Sequence, residues 1–161
     1  MRIKIIQEII DFIRGKKKNY EDSSLPAPEE KAAIINEYAQ KYNCYNLIET
    51  GTYLGDTIEA MKHNFKRLYS IELSQKLYKK ACKRFENDIH IKLYQGDSKD
   101  VLPVILEEIN EKTLFWLDGH YSAGITAKAD KDTPILEELE AIYNSKMGVD
   151  RKSTRLNSSH S

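Results

Sequence analysis

The sequence YNLIETGTYLGDT, residues 45–57, decides the fold. Its first part is a short apolar run typical of a buried strand, and this run ends at Glu49. Gly51 and Gly55 follow and lead into the helical pattern DTIEAM. Glycines let the backbone turn sharply and approach a ligand, and the first turn of a helix presents N–H groups to anionic groups. This order predicts a ligand-binding loop at the carboxyl end of a strand.

Strand-like and helix-like patterns alternate from residue 45 to residue 143. The strand-like runs are YNLIET, RLYSIEL, IHIKLYQ and TLFWLDG, and a helical pattern follows each one. This alternation is typical of a parallel sheet built from βαβ units, so we predict an α/β, Rossmann-like fold. We expect N-terminal helices in residues 1–43, a ligand-binding domain in residues 44–148 and a tail in residues 149–161.

The two ends of the chain lie outside the predicted sheet. Isoleucines recur at helical spacing in residues 3–13, and Pro28 followed by two glutamates is typical of a helix start. These two helices are expected either to cover one face of the sheet or to form a homodimer or a lid. The last eleven residues, RKSTRLNSSHS, resemble translated adapter sequence on a truncated reading frame, and a disordered native tail is the alternative.

Each predicted strand brings a carboxylate to its carboxyl end. These carboxylates belong to Glu49, Glu72, Asp97 and Asp118. Open α/β sheets bind ligands at this edge, and an acid about 20 residues after the glycine loop, as Glu72 is, accepts hydrogen bonds from ribose hydroxyls. Simpler roles remain open, because Glu72 could cap the helix near Ser74 and Asp97 or Ser98 could cap the next helix.

The motif order ETGTYLG, SIEL, QGDS and LDGHY resembles that of class I S-adenosylmethionine-dependent methyltransferases. The nearest branch is that of the caffeoyl-CoA and macrocin-type O-methyltransferases, and the resemblance spans residues 45–143. It implies a partial class I fold with strand order 3-2-1-4, in which the C-terminal strands are missing. It also implies S-adenosylmethionine as the cofactor and a hydroxyl of a small molecule as the methyl acceptor.

The resemblance assigns roles to individual residues. Glu49 and the glycine loop would contact the methionine part of the cofactor, Glu72 the ribose hydroxyls and Asp97 the adenine. The cofactor-binding residues it implies are Glu49, Gly51, Thr52, Tyr53, Gly55, Thr57, Glu72, Leu73, Asp97, Ser98 and Asp118. Metal-dependent members bind a divalent cation such as magnesium, and of their ligand pattern only Asp118 has a counterpart here.

Asp118 and His120 are the predicted catalytic residues. Methyl transfer to a hydroxyl of high pKa needs either a general base or a cation that acidifies the hydroxyl. A histidine with a pKa near neutrality suits the base, and an aspartate suits a hard cation. A loop histidine bonded to backbone is the alternative role for His120.

The composition indicates which binding partners and which cellular compartment to expect. The 25 basic residues balance the 25 acidic residues, which removes the simplest electrostatic argument for a nucleic-acid partner. No stretch has the roughly 20 consecutive apolar residues of a membrane helix, and the N-terminus lacks the cleavage site of a signal peptide. Cys44 and Cys82 are not at metal-ligand or CxxC spacing, so we expect them to be reduced and the protein to be cytoplasmic.

Two other functions remain open. A nicotinamide-dependent oxidoreductase shares the sheet and the ribose acid, but it expects G-x-G-x-x-G, whereas this loop has Gly51 and Gly55 alone. A non-catalytic remnant that keeps the fold without turnover is the second alternative.

Overall fold

A computed structural model of the protein describes residues 28–117 and 135–145. The predicted first helix, the predicted tail, Asp118 and His120 lie outside these residues. The described elements, in chain order, are α1 (Pro28–Tyr42), β1 (Asn46–Thr50), α2 (Asp56–Met61), β2 (Arg67–Glu72), α3 (Gln75–Arg84), β3 (Ile91–Gln95), α4 (Ser98–Glu108), β4 (Thr113–Leu117) and α5 (Ile135–Asn144).

The four strands form one parallel sheet in the order β3-β2-β1-β4. The predicted α/β class and strand order are therefore confirmed. All five residues of β1 are buried, as expected for a central strand covered on both faces. The pairing register aligns the carboxyl ends of the four strands. Thr50 pairs with Ile71 and with Leu117, and Glu72 pairs with Gln95.

Successive strand side chains point to opposite faces and build two cores. Leu47 packs on the first face with residues from α1, α2 and α3, such as Ile35 and Ile58. Ile48 packs on the second face with residues from α4 and α5, such as Leu102 and Ile142. The sheet is therefore covered on both sides, and its carboxyl edge is the place where the loops converge.

The helix boundaries follow local capping chemistry. Helix α1 begins at Pro28, as predicted, and Ser74 and Asp97 are the N-caps of α3 and α4. Helix α5 ends at Asn144. The Ser145 hydroxyl donates to the carbonyl of Ile142 at 2.6 Å, which satisfies an acceptor at the end of the helix.

No helix within residues 28–117 and 135–145 is long and apolar enough to cross a membrane. Both cysteines, Cys44 and Cys82, are free thiols. Burial raises the pKa of the Cys44 thiol above its usual value, so this side chain behaves as a small apolar residue.

Candidate functional site

The carboxyl edge of the sheet brings together three of the four predicted acids. Glu49 is the penultimate residue of β1, Glu72 is the last residue of β2, and Asp97 follows β3 by two positions. The parallel register places these strand ends side by side. Asp118, which follows β4 directly in the chain, and His120 lie outside the described residues, so their predicted catalytic and metal-binding roles stay predictions.

The glycine loop folds back over the end of β2. Gly51, Tyr53 and Gly55 have φ values of 86°, 49° and 83°, so left-handed residues alternate along the loop. The amides of Gly51 and Thr52 donate to the carbonyl of Ile71 at 2.9 and 3.2 Å. These amides therefore fix the loop to β2 and are not available as donors to a ligand.

Glu72 joins the loop to the strand. Its side chain is 7% exposed, and its Oε2 accepts a hydrogen bond from the Tyr53 amide at 2.8 Å. Its Oε1 accepts from the Ser74 amide at 2.8 Å, whereas the side-chain cap of α3 is Ser74 itself. A carboxylate oxygen can accept two hydrogen bonds, so each oxygen keeps capacity for one more donor. The two amides aim the carboxylate at the sheet edge.

Glu49 ends a chain of hydroxyl hydrogen bonds on the first face of the sheet. The Ser70 hydroxyl donates to Glu49 Oε2 at 2.9 Å, so its single proton is committed to the carboxylate. The Thr52 hydroxyl, 2.7 Å from Ser70 Oγ, must then be the donor in that contact. Both Glu49 and Thr52 are buried. The network orients the predicted methionine-side acid.

An apolar surface lies next to Glu72. Tyr53, Leu54 and Leu73 are 64%, 48% and 54% exposed. The first two lie in the loop after β1, and Leu73 follows β2 directly. The Gln95 side chain donates to the Leu73 carbonyl at 3.0 Å and holds this surface in place. A carboxylate flanked by exposed apolar side chains suits a ligand that combines a diol with a flat apolar ring.

Asp97 caps α4, as the simpler interpretation anticipated. Its Oδ1 accepts from the Lys99 amide at 3.2 Å, and Lys99 Nζ lies 3.7 Å from Oδ2. Ser98 is the first residue of the helix. Capping leaves Asp97 at the sheet edge beside Gly96, so an additional contact with adenine stays a prediction. Thr57, in the first turn of α2, is half-buried, and its role also stays a prediction.

Arg84, which the sequence did not single out, clamps the glycine loop from α3. Its Nη1 donates to the Leu54 carbonyl at 2.6 Å and to Asp56 Oδ1 at 2.7 Å. Arg84 Nε lies 3.8 Å from Glu59, and the hydrogen bond from Lys62, with a smaller contribution from Arg84, lowers the pKa of Glu59. No local motif encodes these contacts, because they join a helix end to a loop 28 to 30 residues earlier.

Replacing Arg84 by Met is expected to weaken ligand binding at the loop several-fold while changing the stability by less than about 1 kcal/mol. The stability effect is small because Arg84 and Asp56 are both well exposed to solvent. Calorimetric titration with S-adenosylhomocysteine measures the first effect, and urea denaturation measures the second. Lys83→Met, at the exposed neighbouring position of the same helix, is the matched control and should leave both unchanged. Equal affinities for Arg84→Met and Lys83→Met would show that the clamp does not position the loop.

Two buried polar atoms at this edge have no hydrogen-bond partner within the part of the chain described. They are the Thr50 hydroxyl and the indole nitrogen of Trp116. Buried polar groups are normally paired, so these two atoms are candidate hydrogen-bonding groups for a ligand at this edge. No group of three or more His, Cys, Asp or Glu side chains within residues 28–117 and 135–145 could hold a metal ion.

A cavity of about 400 Å³ lies at the other end of β1, away from the carboxyl edge. Its lining includes Asn36, Gln40, Asn43, Cys44, His63 and Asn64. The Asn64 amide donates to Asn36 across it at 2.5 Å. The cavity contains no carboxylate and none of the predicted site residues, so the carboxyl edge remains the candidate site.

Comparison with solved structures finds similarity to methyltransferases. The SAH-bound methyltransferase PaMTH1 of Podospora anserina matches with a TM-score of 0.57 and 14% identity over 86% of this chain and 56% of that chain. An O-methyltransferase of Bacillus cereus in complex with SAH (S-adenosylhomocysteine) matches with a TM-score of 0.44 and 15% identity, over 71% of this chain and 54% of that one. TomG of Streptomyces achromogenes, an O-methyltransferase involved in tomaymycin synthesis, matches with a TM-score of 0.42 and 19% identity. The match covers 55% of this chain and 42% of that one.

The first of these similarities confirms the predicted class I methyltransferase fold. The chain spans about half the length of the Podospora protein, 56%. The sequence itself matches no family model and no curated protein.

Proposed function

We propose that the protein is an S-adenosylmethionine-dependent methyltransferase that acts on a hydroxyl of a small molecule in the cytoplasm. The observation that carries the proposal is the Glu72 carboxylate, held by two backbone amides at the end of β2, between the glycine loop and the exposed Leu73. A ribose diol needs an oriented carboxylate, and an adenine ring needs an apolar surface beside it. The bound structures of similar fold support the choice of cofactor.

The residues present fit that cofactor along its length. Glu72 would accept from the ribose hydroxyls, Leu73 would contact the adenine ring, and Asp97 would accept from its exocyclic amine. Glu49, oriented by Ser70, would accept from the amino group at the methionine end. These assignments follow the order of strands β3, β2 and β1 across the sheet, so the extended molecule would lie across three strand ends.

The cofactor supplies a methyl group activated by an adjacent sulfonium. The protein must hold an acceptor oxygen in line with that methyl group and remove the proton of the hydroxyl. Asp118 and His120, which follow β4 directly in the chain, are the proposed groups for proton removal or for binding a cation. The strand order places the end of β4 next to β1, beside the proposed methionine end of the cofactor.

Calorimetry with S-adenosylhomocysteine and with NAD tests the proposal. We expect micromolar-range binding of S-adenosylhomocysteine and none of NAD, because Tyr53 stands where the second glycine of G-x-G-x-x-G would let the backbone approach the pyrophosphate. Binding of NAD alone would identify an oxidoreductase instead. Binding of S-adenosylhomocysteine without methyl transfer to any hydroxyl compound in a screen would favour the non-catalytic alternative.

A further inference from the structure

A lysine occupies the sheet-facing side of α1 at the edge that carries the candidate site. Lys31, Ile35 and Ala39 follow one another at four-residue spacing and therefore share one face of the helix. Ile35 and Ala39 are buried in the core of the first face, and Lys31 is half-buried. Helix α1 leads into β1 after three residues, so it runs antiparallel to the strand and begins over the carboxyl edge. Lys31 therefore occupies a sheet-facing position of α1 at which an apolar residue would be expected.

Trp116 fixes the position of this lysine. The Lys31 ammonium lies 5.4 Å from the centroid of the Trp116 ring, which is within the range of a cation–π contact. Trp116 packs against the core of the first face and pairs in register with Glu49. Adjacent strands are about 4.8 Å apart, so Lys31 lies on the same face and at the same edge as the Glu49 carboxylate.

Two hydrogen-bond donors therefore lie at the same edge and on the same face of the sheet as the Glu49 carboxylate. The Trp116 indole N–H is buried without a partner within the described residues, and it lies in the plane of the ring that Lys31 covers. An ammonium group and an indole N–H are both donors without acceptor capacity. Together with the Glu49 carboxylate, they form a site with one negative and one positive side, which is the charge pattern of an amino-acid zwitterion.

We propose that Lys31 binds the carboxylate at the amino-acid end of the cofactor, with the Trp116 indole N–H as the second donor and Glu49 as the acceptor for the amino group. This assignment rests on the proposed function, because it needs an amino-acid end bound at this edge. A charged hydrogen bond contributes about 1.5–3 kcal/mol, so its loss weakens binding roughly ten- to a hundredfold.

The test compares two ligands that differ only in this end. S-adenosylhomocysteine has the amino-acid group, and 5′-methylthioadenosine keeps the nucleoside and the sulfur but lacks it. Lys31→Met is expected to weaken S-adenosylhomocysteine binding at least tenfold in calorimetry and to leave 5′-methylthioadenosine binding within twofold. Lys31→Arg, which keeps the charge, is expected to retain most of the affinity for S-adenosylhomocysteine.

Lys41→Met is the matched control. Lys41 belongs to the same helix and also lies over aromatic rings, 5.8 Å from the Tyr38 centroid and 5.4 Å from the Tyr42 centroid, but at the far end from the site. Its replacement should leave the binding of both ligands unchanged. Thermal unfolding of each variant shows that the chain is folded.

Four outcomes would overturn the assignment. Unchanged S-adenosylhomocysteine binding in Lys31→Met would show that the lysine only packs on Trp116. Equal weakening of both ligands would give Lys31 a structural role in the fold. If the wild-type protein binds 5′-methylthioadenosine but not S-adenosylhomocysteine, no amino-acid end is bound here, whereas binding of neither ligand would also overturn the proposed function.

Discussion

Replacing Glu72 by Ala is expected to reduce S-adenosylhomocysteine affinity by more than a hundredfold and to destabilise the fold by about 2–4 kcal/mol. The affinity falls because two hydroxyl hydrogen bonds to a carboxylate are lost, each worth about 1.5–3 kcal/mol. The stability falls because the Tyr53 and Ser74 amides, both 2.8 Å from this carboxylate, lose their acceptor. Calorimetry measures the affinity, and urea denaturation measures the free energy of unfolding.

A second variant separates binding from folding. Glu72→Gln keeps the shape of the side chain, but its amide offers one acceptor oxygen and one NH2 group, so it can satisfy only one of the two backbone amides. We expect it to remain folded and still to lose most of the affinity, because the NH2 group cannot accept from a hydroxyl. Glu86→Ala, at an exposed position just after α3, is the control for removal of a surface carboxylate. Wild-type affinity in Glu72→Gln would exclude Glu72 as the ribose-binding residue.

The elements that the sequence predicted correctly are encoded locally. The buried strand β1, the acids at the carboxyl ends of β1, β2 and β3 and the Pro28 helix start depend on neighbours in the chain, so pattern and spacing are enough to identify them. The strand order then followed from the resemblance in the motif series. Asp97 shows the limit of this reasoning. It caps α4 and is also a candidate for cofactor binding, and the sequence pattern is the same for both roles.

The sequence could not predict contacts between elements that are distant in the chain. These contacts depend on the direction in which each side chain points after the helices pack. Arg84 reaches Leu54 and Asp56 only because α3 packs with its last turn against the glycine loop. Glu138 is a further example: it lies in an acidic, amphipathic helix whose pattern suggests an exposed carboxylate, yet it is 1% exposed on the face of α5 that also carries Ile142. Rotation of a helix about its axis depends on tertiary packing, which a short periodic pattern does not fix.

Gly55→Ala is expected to destabilise the protein by about 2–5 kcal/mol, through two separate costs. The backbone of Gly55 has φ +83°, a left-handed conformation that costs a residue with a Cβ about 1–2 kcal/mol. The added Cβ would also lie 2.8 Å from Cε2 and 3.1 Å from Cζ of Phe85, a core side chain that is 4% exposed. Overpacking of a core costs about 1–3 kcal/mol. Urea denaturation measures the sum.

A double-mutant cycle with Phe85→Leu separates the cost of the backbone strain from the cost of the clash with Phe85. Leucine removes the ring atoms that the Cβ would meet, so the clash disappears in the double variant while the backbone strain remains. We expect Gly55→Ala to cost only about 1–2 kcal/mol in the Phe85→Leu background, the value of the left-handed conformation alone. The same relief should restore part of the S-adenosylhomocysteine affinity, because the loop that Glu72 and Arg84 hold would return to its position. Fully additive effects would show instead that Phe85 does not restrict residue 55, and that the glycine is required for its backbone conformation only.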